Sequence, residues 1–389
     1  MKVLVTDGDY NSTVGAVRAL AAAGAEPHVT TPARGDLAGR SRYCRGRHVG
    51  PSAEHDAQGF ASFVVELVER ERFEVVLPVG YASTCAVAEV REAIEAHGAN
   101  VPLPDAVTIH KAASRLETYK LAAQLDVSHP RTVYPESVDE ALGLARPLGL
   151  PVVIKAAAEV PGTAMAIVRD WEAFPEAYGT VAERSSVSGL LPIVQEFVEG
   201  DPSTHAVAAL YDHGRCLGVF SHYELRSYPV SGGSGACVES VRLPAEEGYA
   251  KALLDALAWH GAALVEFRRD TAGVPKLMEI NPKLWASFEL PLVLGVNFAF
   301  HLCQLACGET VPRLNGYRDG VRFHWPLSRE LGHVSQRPSA VGRWLLDCVN
   351  PCVRSNLWLR DPVPGLCEAW RVLRAGGRLL GLGRRASGS

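Results

Sequence analysis

The sequence predicts two successive regions, a doubly wound parallel α/β sheet over residues 1–100 and a mostly antiparallel α+β region over residues 101–310. An alternation of short apolar strands with amphipathic helices indicates the first region. Apolar segments joined through turns that contain Asp and Gly indicate hairpins in the second. The proline-containing stretch VPLPD marks the boundary between them, and residues 311–389 are expected to form a C-terminal extension.

The elements of the first region follow one another in a strand–helix order. Strands are expected at about 3–6, 28–31 and 74–80, and helices at about 12–23, 57–71 and 83–97. Ligands of such sheets bind beyond the carboxyl ends of the strands, so the loops that begin at Asp7 and Gly80 are candidate binding loops. Neither GxGxxG nor GxxxxGK[ST] occurs, which argues against a nicotinamide dehydrogenase and a P-loop NTPase.

The second region contains four strand-rich stretches. Residues 151–170 are expected to form two strands separated by a loop, and residues 192–201 a strand followed by a turn. Hairpins are expected to turn at 212–214 and at 270–273, where Asp and Gly interrupt apolar runs.

Composition and charge limit the class of partner. The chain of 389 residues is 47% hydrophobic and 21% charged, which is typical of a globular protein. Its net charge of −4 gives no general electrostatic reason to bind nucleic acid or an anionic membrane, so a small-molecule partner is expected. The start MKVLVTDGDY does not resemble a signal peptide, and nine scattered cysteines fit reduced thiols, so a cytoplasmic location is expected.

Lys155 is the first residue that points to chemistry. It ends the apolar strand PVVIK in a chain that uses Arg for most of its positive charge. A buried cation requires an anionic partner, because leaving it unpaired costs several kcal/mol. A structural ion pair and a phosphate group of a bound nucleotide both meet that requirement.

A second candidate site lies on the hairpin that turns at 270–273. Glu266 on its first strand converges with Glu279 and Asn281 on its second strand if the two strands pair. Carboxylate and amide oxygens are hard ligands that suit Mg²⁺. The alternative, surface residues of an edge strand, does not explain why Glu279 lies between Met278 and Ile280.

These residues, in this order and spacing, resemble the ATP-grasp superfamily of ligases, and within it the carbamoyl-phosphate-synthase-like group that joins carboxylates to amines. The motifs are Lys155, the segment QEFVEG from residue 195, and the hairpin with Glu266 and EINP. The resemblance covers residues 101–310 and implies an ATP-grasp fold with a lid at about 117–200. It implies that residues 1–100 are the pre-ATP-grasp domain that usually precedes it.

The resemblance also implies roles for single residues. Lys155 would contact the α- and β-phosphates of ATP, and Arg115 stands where the family commonly has another phosphate-binding Lys. Glu196 and Val198 would bracket the adenine, and Asp201 is the nearest candidate for the ribose. Glu266, Glu279 and Asn281 would hold one or two Mg²⁺ ions, or Mn²⁺ in their place.

Three positions concern the reacting end of the nucleotide. The loop AAAEVPGT retains only Gly162 where the family is usually rich in glycine, so its phosphate lid is expected to be shorter or stiffer. Lys283 replaces an Arg after the E-x-N-P pattern, which keeps the charge but loses a planar fork. Arg226 precedes a Gly- and Ser-rich loop that could close over an acyl phosphate, although an ordinary surface hairpin is the alternative. Lys283 and Arg226 are the catalytic candidates.

The expected activity is therefore the ATP-dependent formation of an amide or peptide bond through an acyl phosphate, with amino acids or small peptides as carboxylate and amine. No nucleic acid or membrane partner is expected, and a homodimer is left open. One alternative is a different acyl-phosphate-forming enzyme, such as a carboxylase. The other is a nucleotide-binding regulator without turnover, which the loss of glycines in the 156–163 loop favours.

Overall fold

The computed structural model describes residues 1–32, 36–160, 164–201, 203–230, 232–314 and 316–379, with side chains described up to residue 371. Its strands form a four-stranded N-terminal sheet, a second four-stranded sheet and a seven-stranded sheet. The two four-stranded sheets each arise from one consecutive part of the chain, whereas the seven-stranded sheet also takes two strands from the C-terminal extension, for which no strand was predicted.

The N-terminal sheet is parallel, with strand order β3-β2-β1-β4. Its strands are β1 (Lys2–Val5), β2 (Glu26–Thr31), β3 (Gly46–Val49) and β4 (Val75–Leu77), and its helices are α1 (Asn11–Ala22), α2 (Ala57–Glu71), α3 (Tyr81–Glu89) and α4 (Arg91–Ala96). Val3 and Val5 belong to the hydrophobic cluster that contains α1, whereas Leu4 belongs to the cluster that contains α2. Helices therefore cover both faces, as expected for a doubly wound sheet, although the helix expected at 83–97 is two helices.

The second four-stranded sheet, which we call the lid sheet, is antiparallel with order β5-β8-β6-β7. This part of the chain contains α5 (Ala106–Ala113), α6 (Arg115–Gln124), β5 (Thr132–Val133), α7 (Val138–Ala145), β6 (Val152–Lys155), β7 (Met165–Val168), α8 (Phe174–Ser185) and β8 (Ile193–Glu196). Ile154 and Val194 pack with Tyr178 of α8 in a separate small core. Lys155 is the last residue of β6, so its side chain leaves the lid sheet at that edge of the core.

The seven-stranded sheet has the order β13-β12-β9-β10-β11-β14-β15, and all its pairs are antiparallel except β14 with β15. Its strands are β9 (Thr204–Asp212), β10 (Arg215–Tyr228), β11 (Ser234–Ser240), β12 (Gly261–Arg269), β13 (Pro275–Asn281), β14 (Arg322–His324) and β15 (Val353–Ser355). The helices that follow β11 are α9 (Pro244–Ala256), α10 (Glu289–Val293), α11 (Phe298–Ala306), α12 (Arg329–Gln336), α13 (Val341–Val349) and α14 (Pro362–Leu379). Both predicted hairpins are present, as β9–β10 and β12–β13.

Alternate residues of β9 connect the sheet to two cores. Ala206 and Ala208 pack in the cluster that also contains Val3 and Val5 of the N-terminal sheet. Val207 and Ala209 face the opposite cluster, beneath α6 and α9. Because one cluster joins the N-terminal sheet to the seven-stranded sheet, the first region is packed directly against the second.

The C-terminal extension is packed onto the first region. Arg18 of α1 and Asp361 form an ion pair of 2.9 Å in which both side chains are 1% exposed. Ser41 Oγ also donates to the Asp361 carboxylate over 2.7 Å, and Asn11 Nδ2 donates to Glu368 of α14 over 2.8 Å. Residues 311–371 are therefore joined to the start of the chain by buried polar contacts. Among the described helices none is both long and apolar enough to cross a lipid bilayer.

A buried histidine gives the fold a pH dependence. His222 of β10 is fully buried, its Nε2 lies 2.9 Å from Ser287 Oγ, and burial lowers its pKa from 6.5 to about 3. Between those values the unfolded chain binds a proton that the folded protein excludes, so the stability present above pH 6.5 is lost as the pH falls.

We expect the His222→Gln variant to show a weaker pH dependence of stability. Between pH 7 and pH 5 the free energy of unfolding of the wild type should fall by about 2 kcal/mol more than that of the variant. Urea denaturation at the two pH values measures this difference. An equal decrease in both proteins would show that folding does not lower the pKa of His222.

Candidate functional site

The predicted metal ligands meet on the β12–β13 hairpin. Glu266 and Glu279 are cross-strand partners, and Asn281 pairs with Leu264 next to them. Asn281 Nδ2 lies 3.3 Å from Glu266 Oε1 and 3.4 Å from Glu279 Oε1. The three side chains therefore converge on one point, as the pairing of the hairpin predicted.

A bulge shapes this hairpin. The register shifts after the Glu266–Glu279 pair, so that Phe267 pairs with Leu277 and Met278 is the additional residue. Leu277 and Ile280 lie in the buried cluster, whereas Met278 is half-buried. Simple alternation would place Met278 on the same face as Ile280, and the bulge is the reason that Leu277 lies in the core instead.

Two cations face this hairpin from the lid side. Arg115, the first residue of α6, donates to the carbonyl oxygens of Ala156 and Ala158 over 3.0 and 3.2 Å and forms an ion pair with Glu279. Lys155 has no carboxylate within ion-pair distance among the described residues. Burial, reinforced by the charge of Arg115, lowers the pKa of Lys155 to about 7. The sequence left two partners open for Lys155, a carboxylate in a structural ion pair or a phosphate of a bound nucleotide. The described residues do not contain the ion pair.

Three carboxylates, of which Glu224 is buried and Glu266 and Glu279 are half-buried, lie close enough to affect one another's pKa. Burial and the neighbouring charges of Glu279 and Glu224 raise the pKa of Glu266 well above its usual value. Burial acts in the same direction on Glu279, but the charges of Arg115 and Lys155 outweigh it, so the pKa of Glu279 is lowered. Burial raises the pKa of Glu224 to about 7. A divalent cation between these groups would offset their mutual repulsion, so the donor set fits Mg²⁺.

Glu224 is a site residue that the sequence analysis missed. It lies on β10 with 8% of its surface exposed, and the backbone N–H of Gly235 donates to its Oε1 over 3.1 Å. In the sequence, Glu224 could have been noticed as an acidic residue inside the strand HYELRS. It lies two residues before Arg226, which the sequence analysis chose as a candidate instead.

The prediction that Arg226 is catalytic is not supported by its position. Its Nε lies 2.6 Å from Glu330 and its Nη2 lies 2.5 Å from Asp347, both of which are buried. These carboxylates belong to α12 and α13, so Arg226 attaches the C-terminal helices to β10. The sequence analysis could not foresee this, because both partners lie more than a hundred residues further along the chain.

Lys283 lies close to the phosphate loop. It follows Asn281 by two residues and forms an ion pair with Glu159, which lies in the loop after β6. Lys283 therefore links the end of the metal hairpin to the lid. The predicted Gly162 of this loop lies outside the described residues.

The predicted adenine-binding segment follows β8. The Glu196 carboxylate forms an ion pair with Arg131, and the backbone N–H of Glu196 donates to the carbonyl oxygen of Arg131. The N–H of Val198 has no acceptor among the described residues, so it is free to face a ligand edge. Asp201 accepts from the backbone N–H of Ser203 and lies 3.2 Å from His205 Nε2.

The family comparison concerns the part of the chain that contains Arg115 and Lys155. Residues 114–200 match the family described as "Carbamoyl-phosphate synthase L chain, ATP binding domain". The carbamoyl phosphate synthase large chain of Thermus thermophilus is 28% identical over 273 residues, which is 66% of this chain and 25% of that protein. The chain thus spans about a quarter of the length of this relative.

Solved structures share the fold. Biotin carboxylase of Campylobacter jejuni, in a complex described as β,γ-ATP, superposes with a TM-score of 0.67 at 16% identity, covering 82% of this chain and 74% of that one. The L-amino acid ligase of Bacillus licheniformis superposes with a TM-score of 0.60 at 16% identity, covering 78% of this chain and 73% of that one. Residues 114–200 therefore resemble an ATP-binding domain, and most of the chain shares its fold with these two structures.

Proposed function

We propose that the protein is an ADP-forming ligase that activates a carboxylate as an acyl phosphate and joins it to an amine, with amino acids or small peptides as substrates. The observation that carries this proposal is the half-buried cation Lys155, which has no carboxylate within ion-pair distance among the described residues and faces a cluster of Glu266, Glu279 and Asn281. A nucleotide polyphosphate with its metal ion would satisfy both groups at once.

Different residues of the site would bind different parts of the nucleotide. Lys155 and Arg115 would bind its phosphates, Glu196 and Val198 its adenine, and Asp201 its ribose. Glu266, Glu279 and Asn281 would hold Mg²⁺, which when bound neutralises charge on the phosphate oxygens. The free N–H of Val198 supports the adenine assignment, because an adenine ring nitrogen accepts such a bond.

The first step transfers a phosphoryl group. A carboxylate oxygen of the substrate attacks the γ-phosphorus of ATP, the bond to the β-phosphate oxygen breaks, and ADP leaves. The reacting groups repel each other, so Lys155, Arg115 and Lys283 contribute by lowering the negative potential where they meet. For this role Lys283 has to exchange its present partner Glu159 for the substrate.

The second step forms the amide. The nitrogen of a neutral amine attacks the carbonyl carbon of the acyl phosphate, the carbon–oxygen bond to phosphate breaks, and the amine loses a proton. The chain contributes mainly by holding the two substrates in line and by excluding water from the acyl phosphate.

The second candidate function is a carboxylase or another enzyme that forms an acyl phosphate. The fold similarity to biotin carboxylase favours it, since that structure covers slightly more of the chain than the amino acid ligase does. The cluster of Glu266, Glu279 and Asn281 argues against a third candidate, a regulator without turnover, because nucleotide binding alone does not require metal ligands of this kind.

A product screen tests the proposal. Purified protein is incubated with ATP, Mg²⁺ and pairs of amino acids, with hydroxylamine added in parallel reactions as a trap for acyl phosphates. We expect ADP, a hydroxamate of one amino acid and, without the trap, a dipeptide detected by mass spectrometry. A hydroxamate without any amide would favour an acyl-phosphate-forming enzyme that uses another nucleophile, and the absence of both ADP and hydroxamate for every pair would contradict the proposal.

A further inference from the structure

Two turns meet at the end of the seven-stranded sheet that lies away from the predicted Mg²⁺ ligands. One is the β9–β10 turn, whose central residues are His213 and Gly214. The other is the connection between α9 and β12, which contains Trp259 and His260. The backbone N–H of Gly214 donates to the carbonyl oxygen of Trp259 over 2.7 Å, and the N–H of His213 donates to His260 Nδ1 over 3.3 Å. The two turns are therefore joined by hydrogen bonds.

This end of the sheet is distant from the nucleotide site proposed above. Glu266 of β12 pairs with Ala206 of β9, whereas the β9–β10 turn begins after Asp212, six residues further along β9. A strand rises about 3.3 Å per residue, so about 20 Å separates the two places. A ligand bound at these turns would therefore occupy a second site and would not touch the nucleotide.

Three side chains with metal-binding atoms come together at the two turns. Asp212, His213 and His260 each offer one such atom, and these atoms lie within 4.8 Å of one another. The rings of His213 and His260 stack with their centroids 3.9 Å apart, and His213 Nδ1 lies 3.0 Å from Asp212 Oδ1. Two imidazoles and one carboxylate suit Zn²⁺ and related transition metal ions, whereas Mg²⁺ prefers oxygen ligands alone.

These three groups have to move little to bind one ion. A tetrahedral Zn²⁺ with bonds of about 2.0–2.1 Å places its ligand atoms about 3.4 Å apart, so the atoms have to approach one another by at most about 1.4 Å. The side chain of His213 is 79% exposed, so rotation of that side chain supplies the movement. His260 is buried and provides the fixed ligand.

Two arginines face the cluster and oppose a bound cation. Arg215 is exposed, and its Nη2 lies 3.2 Å from Asp212 Oδ2, which is a surface ion pair that contributes little to stability and is easily displaced. Arg91 acts on His260 electrostatically, and its guanidinium donates to the carbonyl oxygens of Leu103 and Pro104. We therefore expect an affinity for Zn²⁺ below that of a structural site with four protein ligands.

The backbone of the β9–β10 turn is unusual for a histidine. Its central residues His213 and Gly214 have φ values of 45° and 79°, and two positive φ values are typical of a type I′ turn. Such turns prefer Asn followed by Gly, because Asn tolerates the left-handed region better than most residues do. A histidine in this place gives up part of that preference and sets an imidazole beside His260.

We propose that Asp212, His213 and His260 bind a divalent transition metal ion of the Zn²⁺ class, and that the ion fastens the β9–β10 turn to the connection between α9 and β12. Three protein ligands leave the fourth position of a tetrahedral ion to water, on the exposed side of His213. The site goes beyond the proposed function, because neither phosphoryl transfer nor amide formation involves this end of the sheet. Its role is structural, since it links segments 47 residues apart in the chain.

Titration of the full chain with Zn²⁺, without an affinity tag, tests this inference by isothermal titration calorimetry. Excess Mg²⁺ occupies the oxygen ligands of the β12–β13 hairpin, and Ser replaces the exposed Cys348 and Cys352, whose thiolates would also bind Zn²⁺. We expect this parent protein to bind Zn²⁺ and its unfolding temperature to rise with the Zn²⁺ concentration. No binding of Zn²⁺ by the parent protein would overturn the proposal.

Three variants of the parent protein locate the bound ion. His213→Asn should lose at least about 10–100-fold in Zn²⁺ affinity, because that is the cost of removing even an outer partner of a metal ligand. Without Zn²⁺ it should unfold at the parent temperature or slightly above, since Asn suits the turn. Asp212→Asn should weaken Zn²⁺ binding about tenfold. His55→Asn, in another exposed turn, is the matched control and should bind Zn²⁺ as the parent does.

The affinities of these variants decide the outcome without ATP or turnover, so the result is independent of the proposed function. A His213→Asn protein that binds Zn²⁺ as tightly as the parent would overturn the proposal. So would an equal loss of affinity in His55→Asn, because the ion would then not be held at the β9–β10 turn.

Discussion

Replacing Glu279 by Gln should lower the rate of ADP formation by about 10²–10³-fold. The substitution keeps the size of the side chain but removes the charge that faces both the proposed metal and Arg115. Arg115 then loses its carboxylate partner, and Glu266 is the one carboxylate left among the three predicted metal ligands. The Mg²⁺ dependence of the residual rate should move to higher concentration, because one charged ligand is missing.

A matched control separates this effect from a general loss of charge. Glu176 is an exposed residue of α8, and Glu176→Gln should leave ADP formation unchanged. Thermal unfolding of both variants checks that they are folded. A Glu279→Gln protein that is folded and forms ADP within a few-fold of the wild-type rate would show that this hairpin is not the metal site.

Replacing Lys155 by Met should weaken ADP binding by about 10–100-fold, the usual contribution of a hydrogen bond to a charged group. The Met side chain fits the apolar end of β6, so the lid sheet should remain folded. The control is Lys120→Met on the exposed face of α6, which should bind ADP as the wild type does. Isothermal titration calorimetry measures all three affinities.

The pH dependence of ADP binding provides a second signature of Lys155. Its pKa is lowered to about 7 by burial and by Arg115, and phosphate binding raises that pKa by stabilising the charged form. The free protein therefore takes up a proton on binding, so affinity should fall by up to about tenfold per pH unit as the pH rises above 7. The ADP affinity of Lys155→Met should not show this decrease above pH 7. The same pH profile in both proteins would show that the phosphates do not contact Lys155.

Local patterns were sufficient to predict the hairpin and its converging side chains. Glu266, Glu279 and Asn281 lie within sixteen residues of one another around one turn, so strand periodicity alone relates them. The same periodicity failed at Met278, because a bulge adds one residue and reverses the faces of the strand before it. The doubly wound sheet was likewise visible as alternating strands and helices.

Contacts between distant segments were not predictable from the sequence alone. Arg226 was interpreted as catalytic because it precedes a Gly-rich loop, but its partners Glu330 and Asp347 come from helices in the C-terminal extension. Glu224 was missed because a single Glu in a long strand carries no spacing signal. The C-terminal extension is joined to α1 by the Arg18–Asp361 pair, whose two residues lie 343 positions apart.

The central claim is that the carboxylate of an amino acid attacks the γ-phosphate of ATP, and isotope transfer tests it most directly. The protein is supplied with ATP, Mg²⁺ and amino acids whose carboxylates carry ¹⁸O, and the released phosphate is analysed by mass spectrometry. The account predicts one ¹⁸O in the phosphate for each ADP formed, because the attacking oxygen leaves with phosphorus when the amine displaces it. Phosphate that contains no ¹⁸O would mean that another nucleophile attacks ATP, and it would contradict the account.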